Sequence, residues 1–382
     1  MLLAELQRDR ALQQVVAALD QGARLVLARY VPRPARGAVA AALHSALRQT
    51  CLVVVPDAET AEDVASDVEA LLGAGAALVF PSRDLFVGSE APDVRSERER
   101  LAVLEALARS DESRLLIAPV VALAEPTTPP ALFRRSRFTL RSGEEVDRDL
   151  LAGQLVDAGF ERVEAVEQVG QFSVRGGIVD VYPPSGEHPF RLEFFGDTIE
   201  SIRTFELASQ RSRETVTECL LSTPHEVVLT REHAQRAVTH VLARIDQQPI
   251  EDESFEADLM RDLSRLEGLS YSPGLERYLP LLYPERPTLL DHLPDQALVL
   301  FIERRALEQH LRRLEDEVRQ SANPFMEFLG LNPAAWLLDW DSLLARAALR
   351  PCVFITVGEE SDEPMVEEEP DEDESVSEED GG

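Results

Sequence analysis

Apolar runs too short to be helices, CLVVVP (51–56), ALVFP (77–81) and RLLIAPV (114–120), punctuate the first third of the chain. Helix-length segments lie between them: GAVAAALHSALRQ (37–49), a segment capped by Asp57 that runs to about Leu72, and SERERLAVLEALAR (96–109). A strand that is apolar at nearly every position must be covered on both faces. Strands of that kind alternating with helices define a parallel α/β sheet. ARLVLARY (23–30) supplies another strand, and residues 1–20 read as one amphipathic helix. Near the other end, ALVLFI (297–302) and PCVFITV (351–357) flank the charged helix RRALEQHLRRLEDEVRQ, so the last third completes or packs against the first unit.

The pattern changes after the PTTPP run at 126–130. FTLRSGEEVDRDLLAGQLVDAGFERV reads as a strand, a helix beginning near Asp147 and a stop at Gly159. Period-two segments follow, EQVGQFSVRGGIVDVYPP and HPFRLEFFGDTIESIRTFEL, with Gly196-Asp197 supplying a turn. They predict a half-solvated antiparallel sheet in a small separate domain. Two helices, REHAQRAVTHVLARI and ESFEADLMRDLSRLEGL, come next. With 382 residues the chain has room for two or three domains. The expected division is 1–133 for the first part of the α/β unit, 138–222 for the small α+β domain and 223–357 for the remainder. Residues 358–382 hold 14 acidic and no basic side chains, and read as a disordered acidic tail.

Charge and composition exclude several chemistries. All 38 basic residues are Arg against 70 acidic ones, giving a net charge of −32, and there is no Lys. Phosphate-loop, Schiff-base and lysine general-base mechanisms are therefore closed. No general basic footprint for duplex DNA is visible. The turn after ARLVLARY, where a nucleotide would sit, reads Val31-Pro32-Arg33-Pro34-Ala35-Arg36-Gly37; two prolines remove donors and one glycine remains. Seven scattered histidines form no metal-ligand pattern, His233 and His240 being the nearest to one. Cys51, Cys219 and Cys352 lie far apart without a CxxC pair, and read as buried small hydrophobes in a reducing compartment. With no secretory signal and no apolar stretch of about 18 residues, a cytoplasmic protein is expected. No catalytic residue, cofactor or metal site is expected, which leaves a binding or scaffold protein.

One surface stands out. Arg175 precedes Gly176-Gly177, and Arg191 lies on FRLEFF with Phe195 four residues on. Two guanidinium groups beside an aromatic on neighbouring strands make a recognition surface. The same residues allow another reading, in which each Arg pairs across strands with Glu193 or Asp180 and Phe195 is core.

VRGGIVDVYPPSGEHPFRLEFFGDTIESIRTFELASQRS resembles the N-terminal UvrB-homology module of the bacterial transcription-repair coupling factors, and more distantly UvrB. The matching elements are Arg175-Gly176-Gly177, Asp180, Pro183, Arg191 to Asp197, Ile199-Glu200 and Ile202-Arg203, trailed by Ser209-Gln210-Arg211-Ser212. A second block carries Gly274, Glu276, Tyr278, Pro280-Leu281, Tyr283, Leu289-Leu290-Asp291 and Leu293-Pro294. Upstream, Pro81-Ser82-Arg83-Asp84 and the SERER helix also fit. The resemblance implies a degenerate helicase-like (RecA-type) sheet with an inserted domain that docks UvrA. It implies that Arg175, Arg191 and Phe195 make that contact, and that Arg175→Ala with Arg191→Ala abolishes it without unfolding. Ile302 falls where UvrB places a metal-binding Asp, leaving only Glu303, so the ATPase is lost. Translocase and polymerase-binding domains would follow in a full coupling factor. The chain is then a truncated or split factor, or a free-standing adaptor reaching DNA and RNA polymerase through a translocase partner. Rival readings are a UvrB-like ATP-dependent DNA-processing enzyme, and a DNA mimic or regulator acting through the acidic tail.

Overall fold

Four strands come from the first 120 residues: β1 (Leu25–Ala28), β2 (Cys51–Val55), β3 (Ala77–Val79) and β4 (Leu115–Pro119). The next eight are β5 (Phe138–Arg141), β6 (Glu161–Arg162), β7 (Gln171–Arg175), β8 (Ile178–Val181), β9 (Phe190–Phe195), β10 (Thr198–Phe205), β11 (Ser212–Val216) and β12 (Glu218–Leu221). β13 (Leu298–Ile302) and β14 (Cys352–Ile355) follow. The computed structural model describes residues 2–83, 94–109, 112–184, 188–320, 323–332 and 336–358. Asp84 and, beyond Gly358, the acidic tail lie outside the described residues.

Six strands form a parallel sheet in the order β1-β14-β13-β2-β4-β3. The two late strands insert between β1 and β2, so the ends of the chain build one sheet and the α/β class expected from the apolar runs holds. Every residue of β2, β4, β13 and β14 is buried, because alternate side chains feed two different cores. Val53, Val55, Ile117, Leu300 and Ile355 pack with Ala41, Leu43, Val64 and Val68 from the helices Arg36–Leu47 and Ala58–Leu72. Leu52, Val54, Leu116, Val299, Phe301 and Phe354 pack on the other side with Leu101, Leu104, Leu307 and Leu311. Each Val, Leu, Ile or Phe among them contributes roughly 1.5–3 kcal/mol by leaving water. Burial also pushes the Cys51 and Cys219 thiols up to about 12 and that of Cys352 to about 11, so all three stay protonated and act as space fillers.

The N-terminal segment departs from the single helix expected. It forms two, Leu2–Leu6 and Arg10–Asp20. Asp9 breaks the run: its backbone is extended and its carboxylate accepts from the Ala11 and Leu12 amides, capping a new helix. The cap predicted at Asp57 is present, accepting from Thr60 N at 2.8 Å. No helix among the described residues is long and apolar enough to cross a membrane.

The second sheet has the order β11-β10-β9-β8-β7-β6 and is antiparallel except for the two-residue β6, which runs parallel to β7. The helix Arg148–Asp157 covers one face through Leu151 and Leu155 against Phe172, Val179, Leu192 and Ile199. β5 and β12 pair as a ribbon, Phe138 opposite Leu221, so the chain enters and leaves this insertion side by side.

A buried charge cluster joins the insertion to the parallel sheet. Arg100 is fully buried and donates to Glu226 at 2.7 and 3.0 Å, to Glu125 at 2.9 Å and to the Pro81 carbonyl at 2.8 Å. Its guanidinium also lies 4.0 Å from the centre of the Phe80 ring. Arg83 pairs with Glu226, and its amide donates to both Glu125 oxygens at 3.0 and 3.1 Å. Burial alone would raise the Glu226 carboxyl, but Arg100 and Arg83 outweigh it and hold the group below its usual range. Glu125 stays raised by burial, since the same two Arg residues offset it only in part.

Candidate partner-binding surface

β9 divides its side chains between two environments. Phe190, Leu192 and Phe194 face the helix-covered core, while Arg191, Glu193 and Phe195 point to the opposite, outer face. The Gly176-Gly177 turn sets the register of the neighbouring hairpin, placing Arg175 opposite Ile178 and Ser173 opposite Asp180. Gly176 has φ +58°, as the first central residue of a two-residue hairpin turn requires. Gly177 has no room for a side chain: a Cβ there would lie 2.9 Å from the Phe194 carbonyl oxygen. Asp180 therefore stands directly across from Arg191 and close to Arg175.

Both guanidinium groups converge on this one carboxylate. Arg191 Nε and a terminal nitrogen donate to the two Asp180 oxygens at 2.7 and 2.9 Å, and Arg175 adds a bond of 2.7 Å. Asp180 has no exposed surface. The Arg191 side chain is 14% exposed and that of Arg175 is 50% exposed. Arg191 also donates to the Gln210 carbonyl at 3.1 Å and lies 4.7 Å from the centre of the buried Phe205 ring. The hydrogen bond to Asp180, reinforced by its charge, raises the Arg191 pKa. Phe195 is not core; it is 81% exposed at the tip of the β9–β10 hairpin. The three residues named from the sequence thus share one face, with Arg191 committed inward, Arg175 half free and Phe195 open.

Gln210 explains the trailing SQRS element. It has φ +56°, and its side-chain amide donates to Val166 O at 3.2 Å and Leu207 O at 3.0 Å, which aims its own carbonyl at Arg191. Its part was not readable in advance, because the bond spans 19 residues. Arg148 was missed for the same reason. Its guanidinium donates to the Gly176 carbonyl at 2.6 Å, 28 residues away.

The other sequence candidates serve packing. Arg36 pairs with Glu303, joining the turn after β1 to the residue after β13. Pro32 and Pro34 supply no amide donor, and the Ala35 amide is taken by the Pro32 carbonyl at 2.8 Å. Gly37 lets two helices touch: a Cβ there would collide with Asp67 Cβ. Ile302 is fully buried. These groups do not fit a nucleotide triphosphate with its metal. His233 lies 2.9 Å from the Thr230 hydroxyl and His240 donates to Leu329 O at 3.0 Å. In the second block, Tyr278 bonds Asp262 at 3.0 Å and Tyr283 bonds Val228 O at 2.8 Å. Glu276 accepts from the Gly274 amide at 2.8 Å, and Asp291 caps Thr288 N at 2.7 Å.

The family model described as the UvrB interaction domain matches residues 138–226, the insertion that bears this surface. The transcription-repair-coupling factor of Bacillus subtilis (strain 168) is 28% identical over 327 residues, covering 82% of this chain and 27% of that protein. Its counterpart in Myxococcus xanthus is 36% identical over 309 residues, 77% of this chain and 25% of that protein. That of Mycobacterium bovis (strain ATCC BAA-935 / AF2122/97) is 33% identical over 278 residues, 70% and 22% respectively. This chain carries the UvrB-homology module of the coupling factors. It spans about a quarter of the length of these relatives. Within the module, the Pro81-Ser82-Arg83 and SERER elements noted in the sequence are the parts that build the buried Arg83–Arg100–Glu226 joint.

Proposed function

We propose that this UvrB-homology module is a non-catalytic adaptor of nucleotide excision repair and transcription-coupled repair. It recruits UvrA through the outer face of the middle domain, residues 138–222, and works in the cytoplasm. Phe195 carries the reading: a large aromatic ring held open to water on a braced hairpin, beside a half-exposed Arg, has the composition of a binding hot spot. Phe195 fills an apolar pocket on the partner. Arg175 uses the donors not given to Asp180 to meet a partner carboxylate. Arg191 stands behind them, neutralising Asp180 so that the sheet can carry the other two. The turn after β1 supports the non-catalytic part, since Arg36 and Glu303 bond each other where phosphate and metal would be held. Association with DNA and RNA polymerase is indirect, through a translocase partner.

The test is a calorimetric titration of the whole chain with UvrA. Saturable binding is expected, and Phe195→Ala should weaken it by about 2 kcal/mol, roughly 30-fold. The melting curve should not move, because an exposed ring contributes little to the core. Equal affinity of the variant and the parent chain would reject this surface.

A further inference from the structure

The two hairpin tips that bear Arg175 and Phe195 are pinned by one short segment. Phe194 N donates to Gly177 O at 2.7 Å, which ties the tips to each other. Residues 143–146 run along the β9–β10 tip: Gly143 N donates to Ile199 O at 2.7 Å, Ile199 N to Glu144 O at 2.9 Å and Val146 N to Asp197 O at 2.7 Å. Asp147 then caps the helix Arg148–Asp157, accepting from the Asp149 and Leu150 amides at 2.8 and 3.0 Å. Side chains of an α-helix tilt toward its N-terminus, so the first helical residue reaches back beyond the helix end. There Arg148 meets the Gly176 carbonyl at 2.6 Å in a charge-assisted bond. Its Nε is buried with no hydrogen-bond partner among the described residues, so the contact to Gly176 is what places the guanidinium. One segment thus holds both tips, by backbone at one and by Arg148 at the other.

We propose that Arg148 is a positioning residue: by holding the Gly176 carbonyl it fixes the Arg175 tip at a set distance from Phe195 and preorganises the surface. This rests on the recruitment of UvrA by that surface. Without Arg148 the exposed Gly176 turn would keep only its backbone tie to Phe194; its remaining freedom would have to be ordered on binding, and affinity would fall without loss of any contact to the partner.

The experiment compares Arg148→Ala, Arg148→Lys and Phe195→Ala in the whole chain, measuring UvrA affinity at low and high salt and amide exchange at Phe194 in the free protein. Arg148→Ala is expected to bind about tenfold more weakly at both salt concentrations with an unchanged melting curve, and to exchange faster at Phe194. Arg148→Lys, which still donates to a carbonyl, should recover most of the affinity. Wild-type affinity in Arg148→Ala, or a deficit confined to low salt, overturns the proposal; the latter would make Arg148 a direct charge contact. Unchanged Phe194 exchange in Arg148→Ala overturns it independently of UvrA. Full affinity of Phe195→Ala would instead remove the recruiting surface itself.

Discussion

Arg100→Ala is expected to destabilise the protein by about 3–5 kcal/mol, the cost of breaking a buried ion pair from one side. The side chain is fully buried and makes four hydrogen bonds to three segments that are distant in sequence. Without it, Glu125 and Glu226 face each other in the core with only Arg83 between them. Urea denaturation at pH 7 and pH 5 checks both size and sign. In the parent chain Glu226 is held below its usual range, so its contribution is complete at neutral pH and is lost only as the pH falls through that low value. In the variant, burial dominates at both carboxylates and raises them. A group raised by folding binds a proton more tightly in the folded state, so the variant's deficit should shrink as the pH drops. A deficit under 1 kcal/mol, or one that grows at pH 5, would contradict this description of the joint.

Arg191→Ala is the second large effect, again about 3–5 kcal/mol, read as early loss of the middle sheet in thermal denaturation. Asp180 has no exposed surface and would lose two of its three guanidinium bonds. Arg175 cannot replace them, since its half-exposed side chain is screened by solvent. The paired substitution Arg175→Ala with Arg191→Ala, suggested by the sequence as a clean probe of binding, is therefore a probe of folding as well. Replacing both partners by apolar side chains, Asp180→Val with Arg191→Leu, should recover most of the stability. An Arg191→Ala variant as stable as the parent would show that Asp180 does not depend on Arg191.

The strands were legible where their environment is uniform. β2, β4, β13 and β14 are apolar throughout because helices cover both sides of them, and such runs read the same whatever the strand order. The order itself was not legible. That β14 and β13 lie between β1 and β2 is decided by contacts across some 250–330 residues, which no local period reports. Alternation on β9 showed that Arg191 and Phe195 share a face, but period two gives the face and not the depth. Arg191 lies low beside Phe205 while Phe195 stands clear at a hairpin tip, a difference set by Asp180 and Gln210 on other strands and loops. The break at Asp9 was a local signal outweighed by the apolar periodicity on either side of it. Gly37, the one glycine in the turn after β1, is a helix-packing glycine.

Amide hydrogen exchange of the whole chain, with and without saturating UvrA, tests the recruiting surface most directly. Slowed exchange at 175–178 and 193–198, with the parallel strands β2, β4 and β13 unchanged, is the predicted footprint. Unaltered exchange at both hairpin tips while UvrA protects another part of the chain would contradict it.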